Sequence, residues 1–178
     1  MKKIYTRTIR EDVKNIKAGE EVYLSGTVYT ARDAAHKKLS EMLGKNIALP
    51  FDIKDSVIYY AGPTPPPKIN PRRVAAGSCG PTTSKRMDIY TPGLLKAGLA
   101  GTIGKGGRSP EVCDAMKKFG AVYLCAVGGA GAIYSSRIKS VKIIAFEELG
   151  CESIKKFEVE NFPLYMAYDI FGNNIFAE

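Results

Sequence analysis

The middle of the chain changes repeatedly from strand-like to helix-like residue patterns, and most of these changes fall at glycine-bounded turns. The strand-like runs are β-branched and aromatic, and the run AVYLCAV at 121–127 is entirely apolar. Helix-like segments such as RDAAHKKLSEML at 32–43 repeat apolar residues at helical spacing. An entirely apolar strand is typical of a parallel sheet that is buried on both faces. The pattern therefore predicts an α/β fold with a central, mostly parallel sheet and additional antiparallel strands.

Other segments refine this prediction. The tail FEVENFPLYMAYDIFGNNIFAE at 157–178 alternates by two and contains a Gly-Asn-Asn turn, which predicts a hairpin or an edge ribbon. Thr30 or Asp33 is predicted to cap the helix in RDAAHKKLSEML. PTPPPKINP at 63–71 predicts an irregular loop, followed by a strand that runs into a turn in RRVAAGSCG. The length of 178 residues predicts a single domain over 1–178.

The positive charge of the chain is concentrated in its first two thirds. The sequence contains 26 Lys plus Arg and 18 Asp plus Glu, which gives a formal net charge of +8. Residues 1–110 have a net charge of +10, and residues 111–178 have a net charge of −2. Nucleic-acid-binding chains more often have Lys/Arg runs with interleaved aromatic residues, whereas the basic pairs here are short. The excess therefore favours a small anionic ligand or a solvated surface over a nucleic acid.

The cysteine and hydropathy patterns limit the expected cofactors and location. The four cysteines have no CxxC spacing and the chain has one histidine, so no zinc site is predicted. Cys79, beside a glycine turn, is predicted to be a small buried residue rather than a nucleophile or a ligand. No apolar stretch reaches the ~20 residues of a membrane span, and the polar N-terminus does not resemble a signal peptide. We therefore expect reduced thiols and a cytoplasmic protein.

The first of three candidate anion-binding segments is TARDAAH at 30–36, which opens a predicted helix. Helix N-termini attract anions because their N–H groups are free and carry partial positive charge. Arg32 and His36 lie four residues apart and share a helix face. Arg32 can hold a carboxylate through two parallel hydrogen bonds, and His36 can transfer a proton or orient a ligand. The alternative is a surface arginine with a histidine that is satisfied by Asp33.

Two further segments combine a glycine turn, a cation and a helix start. GPTTSKRMD at 80–88 places hydroxyl residues before Arg86, which lies one turn after Thr82. GKGGRS at 104–109 places Lys105 between glycines and matches neither a P-loop nor a dinucleotide fingerprint. The alternatives are ordinary N-caps and a flexible turn with a solvated lysine. Because such turns gather at the carboxyl edge of a parallel sheet, together they predict a pocket for a small di- or polyanion.

These segments, in this order, resemble the β-subunit, or C-terminal domain, of the class I fumarase and L-tartrate dehydratase family of iron–sulfur hydro-lyases. The matching stretches run from about residue 3 to the C-terminus: SGTVYTARDAAHKKL, YAGP, GPTTSKRMD, GKGGRS, AVGGAGA and EVENFPLYMAYDIFGN. The resemblance implies a swivelling β/β/α domain in three layers. It also implies the reversible dehydration of a small 2-hydroxy dicarboxylate, malate to fumarate, a reaction of the tricarboxylic acid cycle.

The resemblance further implies that a second chain completes the active site. In the family, three cysteines of an α-subunit hold a [4Fe–4S] cluster and leave one iron open as a Lewis acid for the departing hydroxyl. This sequence has no ferredoxin-type cysteine spacing, so we expect no cofactor-binding or metal-binding residues on this chain. The expected assembly is a hetero-oligomer with the α-subunit, α2β2 being one arrangement, without a nucleic-acid or membrane partner.

By the same resemblance, five residues are candidates for the site. Arg32, Arg86 and Lys105 bind the two carboxylates and stabilise the aci-carboxylate that develops as a proton leaves the neighbouring carbon. Thr82 is the base candidate, together with a carboxylate of the α-subunit, since a neutral threonine is a weak base. His36 is the other catalytic candidate. It either transfers a proton directly or orders Arg32 or a cluster-side ligand.

One motif departs from the family pattern. Fumarase-like members typically read KGNRS, whereas residues 105–109 read KGGRS. The glycine pair is closer to the tartrate dehydratase version, while Arg108-Ser109 is closer to fumarase. Gly107 lacks an asparagine amide that could bind the substrate. L-tartrate therefore stays an alternative substrate, and a stand-alone module that binds small anions without catalysis is the alternative from another functional class.

Overall fold

The strands of the computed structural model, which describes residues 2–66 and 75–176, form one mixed sheet. Its seven strands are β1 Lys2–Tyr5, β2 Glu21–Thr30, β3 Val57–Tyr59, β4 Gly101–Gly104, β5 Val122–Cys125, β6 Ile138–Ala145 and β7 Ile154–Tyr168. The pairs from β1 through β5 are parallel, and β7 is antiparallel to β2, β5 and β6. The predicted mixed α/β class is confirmed.

Strand β7 closes part of the sheet into a ring. The strand order is β1-β2-β3-β4-β5-β7-β6, and β7 also pairs with β2. Strands β2, β3, β4, β5 and β7 therefore form a closed, barrel-like ring. Alternate residues of β3 pack into two different apolar clusters, Val57 and Tyr59 into one and Ile58 into the other, as the period of a strand requires. The three-layer arrangement implied by the family resemblance stays a prediction.

Most of the tail belongs to this central strand, so the predicted edge ribbon is wrong. The predicted reversal at the Gly-Asn-Asn turn is present as a short antiparallel bridge between Tyr168 and Asn174. β7 pairs with β2 from Thr30↔Lys155 to Glu21↔Tyr165 and with β6 on its other side. Period-two alternation correctly indicated a half-buried strand. It carried no information about which strands the tail would pair with, because pairing partners are set by the whole sheet.

The helices connect the parallel strands. They are α1 Ile9–Asp12, α2 Asp33–Gly44, α3 Thr91–Lys96, α4 Pro110–Phe119 and α5 Gly131–Ser136, with 3-10 helices at Thr6–Thr8, Val13–Asn15, Ser84–Met87 and Glu147–Glu152. The predicted capping of α2 by Thr30 or Asp33 is wrong. Arg32 occupies the N-cap position without a side-chain cap, and the N–H of Ala34 donates to the Glu152 carboxylate at 3.0 Å.

Part of the chain lies outside the described residues. Residues 67–74 include much of the predicted proline loop and the start of the strand predicted in RRVAAGSCG, while 75–80 form no strand. Among the described helices, none is long and apolar enough to cross a bilayer.

A buried arginine connects the segments that carry the candidate site residues. Arg108 is 8% exposed, and its guanidinium lies between the sheet and the helices. The guanidinium donates hydrogen bonds of 2.7–3.2 Å to one carboxylate and three hydroxyls, those of Asp88, Thr91, Thr102 and Tyr60. The Asp88 carboxylate also accepts the backbone N–H of Ser109 at 2.6 Å. The ion pair of Arg108 and Asp88 therefore holds the turn after β4 against the segment after Ser84–Met87.

Replacing Arg108 by methionine should lower the free energy of unfolding by roughly 3–5 kcal/mol, because the Asp88 carboxylate would stay buried without its partner. Urea denaturation of the chain measures the change. The matched control is Lys139→Met, which removes the exposed ion pair with Glu160 and should change stability by less than about 1 kcal/mol. Equal stability of the Arg108→Met chain and the unsubstituted chain would contradict this account of the core.

Candidate active site at the carboxyl edge of the ring

The three predicted segments meet at the carboxyl edge of the parallel strands. Thr30 lies beside Tyr59, Tyr59 beside Ile103, and Gly104 beside Cys125, so the strands end at nearly the same level. The turns that leave these strands therefore share one edge of the ring, as is common for ligand sites in α/β folds.

Backbone hydrogen bonds join the second and third segments. The N–H of Thr82 donates to the carbonyl of Tyr60 at 2.6 Å, and the N–H of Lys105 donates to the carbonyl of Thr82 at 3.3 Å. These bonds connect Thr82 to the residues that directly follow β3 and β4. Thr82 is half-buried and Lys105 is exposed. The Lys105 side chain runs past Gly128, where an added Cβ would lie 3.6 Å from Cδ of Lys105.

An ion pair joins the first and second segments. Nε and Nη2 of Arg86 donate to the two carboxylate oxygens of Asp33 at 3.0 and 2.5 Å. The Arg86 side chain is 51% exposed, so solvent reaches part of the guanidinium. Asp33 thus binds Arg86, whereas the alternative drawn from the sequence paired it with His36. Two N–H groups of Arg86 are engaged in this pair, and the planar fork is held in one orientation.

Arg32 lies between the start of α2 and the 3-10 helix Glu147–Glu152. Its Nη2 is 3.5 Å from a carboxylate oxygen of Glu152, and its side chain is 23% exposed. Its Nε is buried and has no hydrogen-bond partner among the described residues. A buried N–H without an acceptor costs free energy. Arg32 therefore retains an unused donor beside the strand ends.

His36 lies beneath the edge rather than on it. It is fully buried, and its Nδ1 hydrogen bonds to the carbonyl of Arg32 at 2.9 Å. A carbonyl only accepts, so Nδ1 carries the proton and Nε2 is an acceptor. Nε2 has no partner in the part of the chain that the structure describes. Burial, reinforced by the charge of Arg108, lowers the pKa of His36 to about 4, which keeps the ring neutral at pH 7.

Arg108 and Cys79 are buried and do not face the edge. Arg108 is engaged in the core, so GKGGRS offers Lys105 and not both cations to a ligand. Cys79 is buried as predicted, and burial raises the pKa of its thiol to about 12. No group of three His, Cys, Asp or Glu side chains that could hold a metal ion is found within residues 2–66 and 75–176.

Sequence analysis missed Gly62 and Glu152, which lie beside Arg32, and Lys155, which binds the segment that carries Glu152. Gly62 belongs to the motif YAGP, and a Cβ there would lie 3.0 Å from Nη1 of Arg32. Glu152 lies 118 residues from Ala34, the residue whose N–H it binds. Only the YAGP motif gave a signal, because nothing in the local sequence relates Glu152 to α2.

Comparison with known proteins finds relatives along the whole chain. A family model described as fumarase C-terminus matches residues 2–178. The chain is 42% identical to a Methanocaldococcus jannaschii protein provisionally named L(+)-tartrate dehydratase subunit beta, over all of this chain and 92% of that protein. It is 33% identical to the L(+)-tartrate dehydratase subunit beta of Escherichia coli K12, over all of this chain and 88% of that protein. It is 43% identical to the aerobic class I fumarate hydratase of the same strain, over 87% of this chain but only 28% of that protein.

The buried, neutral His36 predicts a loss of stability in mild acid. The unfolded chain binds a proton at this residue near pH 6.5, whereas the folded chain binds it only near pH 4. The contribution of neutral His36 to the free energy of unfolding is therefore fully present above pH 6.5. The free energy of unfolding falls by roughly 2–4 kcal/mol as the pH drops to 4. Urea denaturation at several pH values measures the fall. His36→Asn keeps a donor for the Arg32 carbonyl and should reduce this pH dependence. The same pH dependence in both chains would contradict the assignment.

Proposed function

The chain belongs to the fumarase C-terminus family, and on that premise we propose that it is the β-subunit of an iron–sulfur hydro-lyase. The proposed reaction is the reversible dehydration of a small 2-hydroxy dicarboxylate, malate to fumarate. One observation carries this proposal: the segments that carry four of the candidate residues meet at one edge of the ring. These residues are Arg32, Thr82, Arg86 and Lys105. Two relatives that match along nearly their full length bear β-subunit names, which supports an α-subunit as partner.

The three cations suit the charge that develops in this reaction. A proton leaves the carbon next to one carboxylate, and hydroxide leaves the neighbouring carbon, so that one water and one C=C bond form. As the proton departs, negative charge builds up on the adjacent carboxylate. Preorganised cations at that position stabilise the transition state more than the ground state. We assign the binding of the substrate's two carboxylates to Arg32, Arg86 and Lys105.

We assign proton removal to the hydroxyl of Thr82 together with a carboxylate of the α-subunit. A neutral hydroxyl is a weak base at pH 7, so it needs an acceptor for its own proton. The sequence left two roles open for His36, and we assign it the supporting one rather than direct proton transfer. It is buried, neutral and bonded to the carbonyl of Arg32, so it orders the residue that binds substrate.

We assign the [4Fe–4S] cluster to the α-subunit. The described residues of this chain present no group of three side chains for a metal. Thiolate is the ligating form of cysteine, and burial raises the pKa of Cys79 to about 12. We assign the departure of the hydroxyl to the α-subunit's half of the site as well. We further propose a cytoplasmic hetero-oligomer, with α2β2 as one arrangement.

L-tartrate is the second candidate substrate. The names of the two β-subunit relatives favour it, and so does the glycine at position 107. An added Cβ at Gly107 would lie 3.6 Å from Phe176, so this position faces the C-terminal segment. A purified complex assayed with both substrates decides between them.

Arg86→Ala in the complex with the α-subunit should lower kcat/KM at least about 100-fold, because one cation for the developing charge is lost. The complex is produced and assayed without oxygen, with malate and with tartrate. Arg137→Ala is the matched control, since Arg137 is an exposed arginine at the end of α5. Thermal denaturation confirms that both variants fold. Full activity of the Arg86→Ala complex would overturn the site assignment.

Thr82→Val should lower kcat by about 100-fold or more, since general acid–base groups contribute at least that much. KM should change little, because the hydroxyl is assigned to the proton and not to the carboxylates. Thr83→Val is the matched control, since Thr83 is the exposed neighbour. An equal loss in both variants, or no loss in Thr82→Val, would remove Thr82 from the proton-transfer step.

A further inference from the structure

One carboxylate reaches both the side chain of Arg32 and the helix that follows it. An oxygen of Glu152 lies 3.5 Å from Nη2 of Arg32, and its other oxygen accepts the N–H of Ala34 at 3.0 Å. The two side chains are only 22% and 23% exposed. A partly buried pair is screened less by solvent and salt than an exposed one. Glu152 thus links the position of the guanidinium to the start of α2.

The segment that carries Glu152 is held in place by a buried lysine. Lys155 is 8% exposed. Its ammonium donates to the carbonyls of Gly150 and Cys151 at 3.0 and 3.2 Å, and to the hydroxyl of Ser153 at 2.7 Å. The ammonium therefore binds two carbonyl groups that precede Glu152 and a hydroxyl that follows it. These bonds limit how far the Glu152 backbone can move relative to β7.

Gly62 bounds Arg32 from another direction. A Cβ at this position would lie 3.0 Å from Nη1 of Arg32 and 3.1 Å from the carbonyl oxygen of Cys151. Both distances are shorter than ordinary contacts of a methyl group. Glycine here leaves room for the guanidinium and for the segment that carries Glu152 to approach each other.

From these contacts we propose that Glu152 is a positioning residue for Arg32, supported by Lys155 and by the space at Gly62. This inference rests on the proposed function. Arg32 has many rotamers in water, and fixing them on substrate binding costs free energy. Glu152 fixes the guanidinium before the substrate arrives. It uses Nη2 and leaves other donors of Arg32 for a substrate carboxylate. Glu152 therefore strengthens substrate binding and does not accelerate the chemical step.

The test uses the complex with the α-subunit and the substitution Glu152→Gln, which keeps an acceptor for the Ala34 N–H and removes the charge. KM for the preferred substrate should rise roughly three- to tenfold, the cost of ordering one long side chain. The inhibition constant of succinate, a dicarboxylate that cannot be dehydrated, should rise in parallel. kcat should stay within about twofold, as expected for lost uniform binding. Glu152→Asp keeps the charge and should restore part of the affinity.

Glu148→Gln is the matched control. Glu148 lies on the same 3-10 helix and pairs with Lys38 of α2 at 2.5 Å, away from Arg32. Its substitution should leave KM and the succinate constant within about twofold of the unsubstituted complex. An unchanged or lower KM in Glu152→Gln would overturn the inference. So would an equal rise in Glu148→Gln, because the effect would then belong to the whole segment.

Gly62→Ala tests the same claim if Glu152→Gln does not assemble. Its methyl group would displace the guanidinium and should raise KM without a matching fall in kcat. Gly93→Ala is the control, since an added Cβ there meets nothing within 4 Å. An unchanged KM in Gly62→Ala would overturn this inference and leave the proposed function standing. An unsubstituted complex that dehydrates neither malate nor tartrate would overturn the proposed function, and this inference with it.

Discussion

The buried ion pair of Arg108 and Asp88 is the interaction on which the candidate site depends. Arg108 ends the turn that carries Lys105, and Asp88 follows the segment 82–86. The rings of two core tyrosines lie 5.2 Å from the guanidinium carbon, which places the pair inside the apolar cluster between sheet and helices. This one buried ion pair therefore fixes the backbone of both the turn that carries Lys105 and the segment 82–86. Their side chains can be exposed to a ligand and still occupy defined positions.

The candidate substrate-binding arginines are also paired with carboxylates of the chain itself. Asp33 holds Arg86 and Glu152 holds Arg32, and both carboxylates lie at the start of α2. Two of the basic residues at the edge are thus paired with a carboxylate. Pairing fixes the guanidinium planes and moderates their mutual repulsion. In the proposed function, this pairing keeps the two guanidinium groups in place before the α-subunit and the substrate bind.

Local sequence patterns predicted those parts of the fold that local physics determines. The positions of β5 and α2 follow from the apolar run at 121–127 and from the helical spacing at 32–43. The convergence of three segments follows from parallel strands that share one carboxyl edge. The pairing of β7 with β2 and the contact of Glu152 with Arg32 connect residues more than 100 positions apart. No local pattern encodes such partners. The burial of His36 was missed because a polar residue on a helix face gives no sign of which neighbour will cover it.

We propose that this chain supplies the substrate-binding half of a hydro-lyase and works only against an α-subunit. The decisive experiment mixes the purified chain with a purified, cluster-loaded α-subunit, without oxygen, and follows fumarate formation from malate. Neither chain alone should be active, and the activity of the mixture should saturate at a fixed ratio of the two. Tartrate is assayed in parallel as the second candidate substrate. Saturable malate binding by the lone chain, with no activity in any mixture, would contradict the claim and favour a stand-alone anion-binding module.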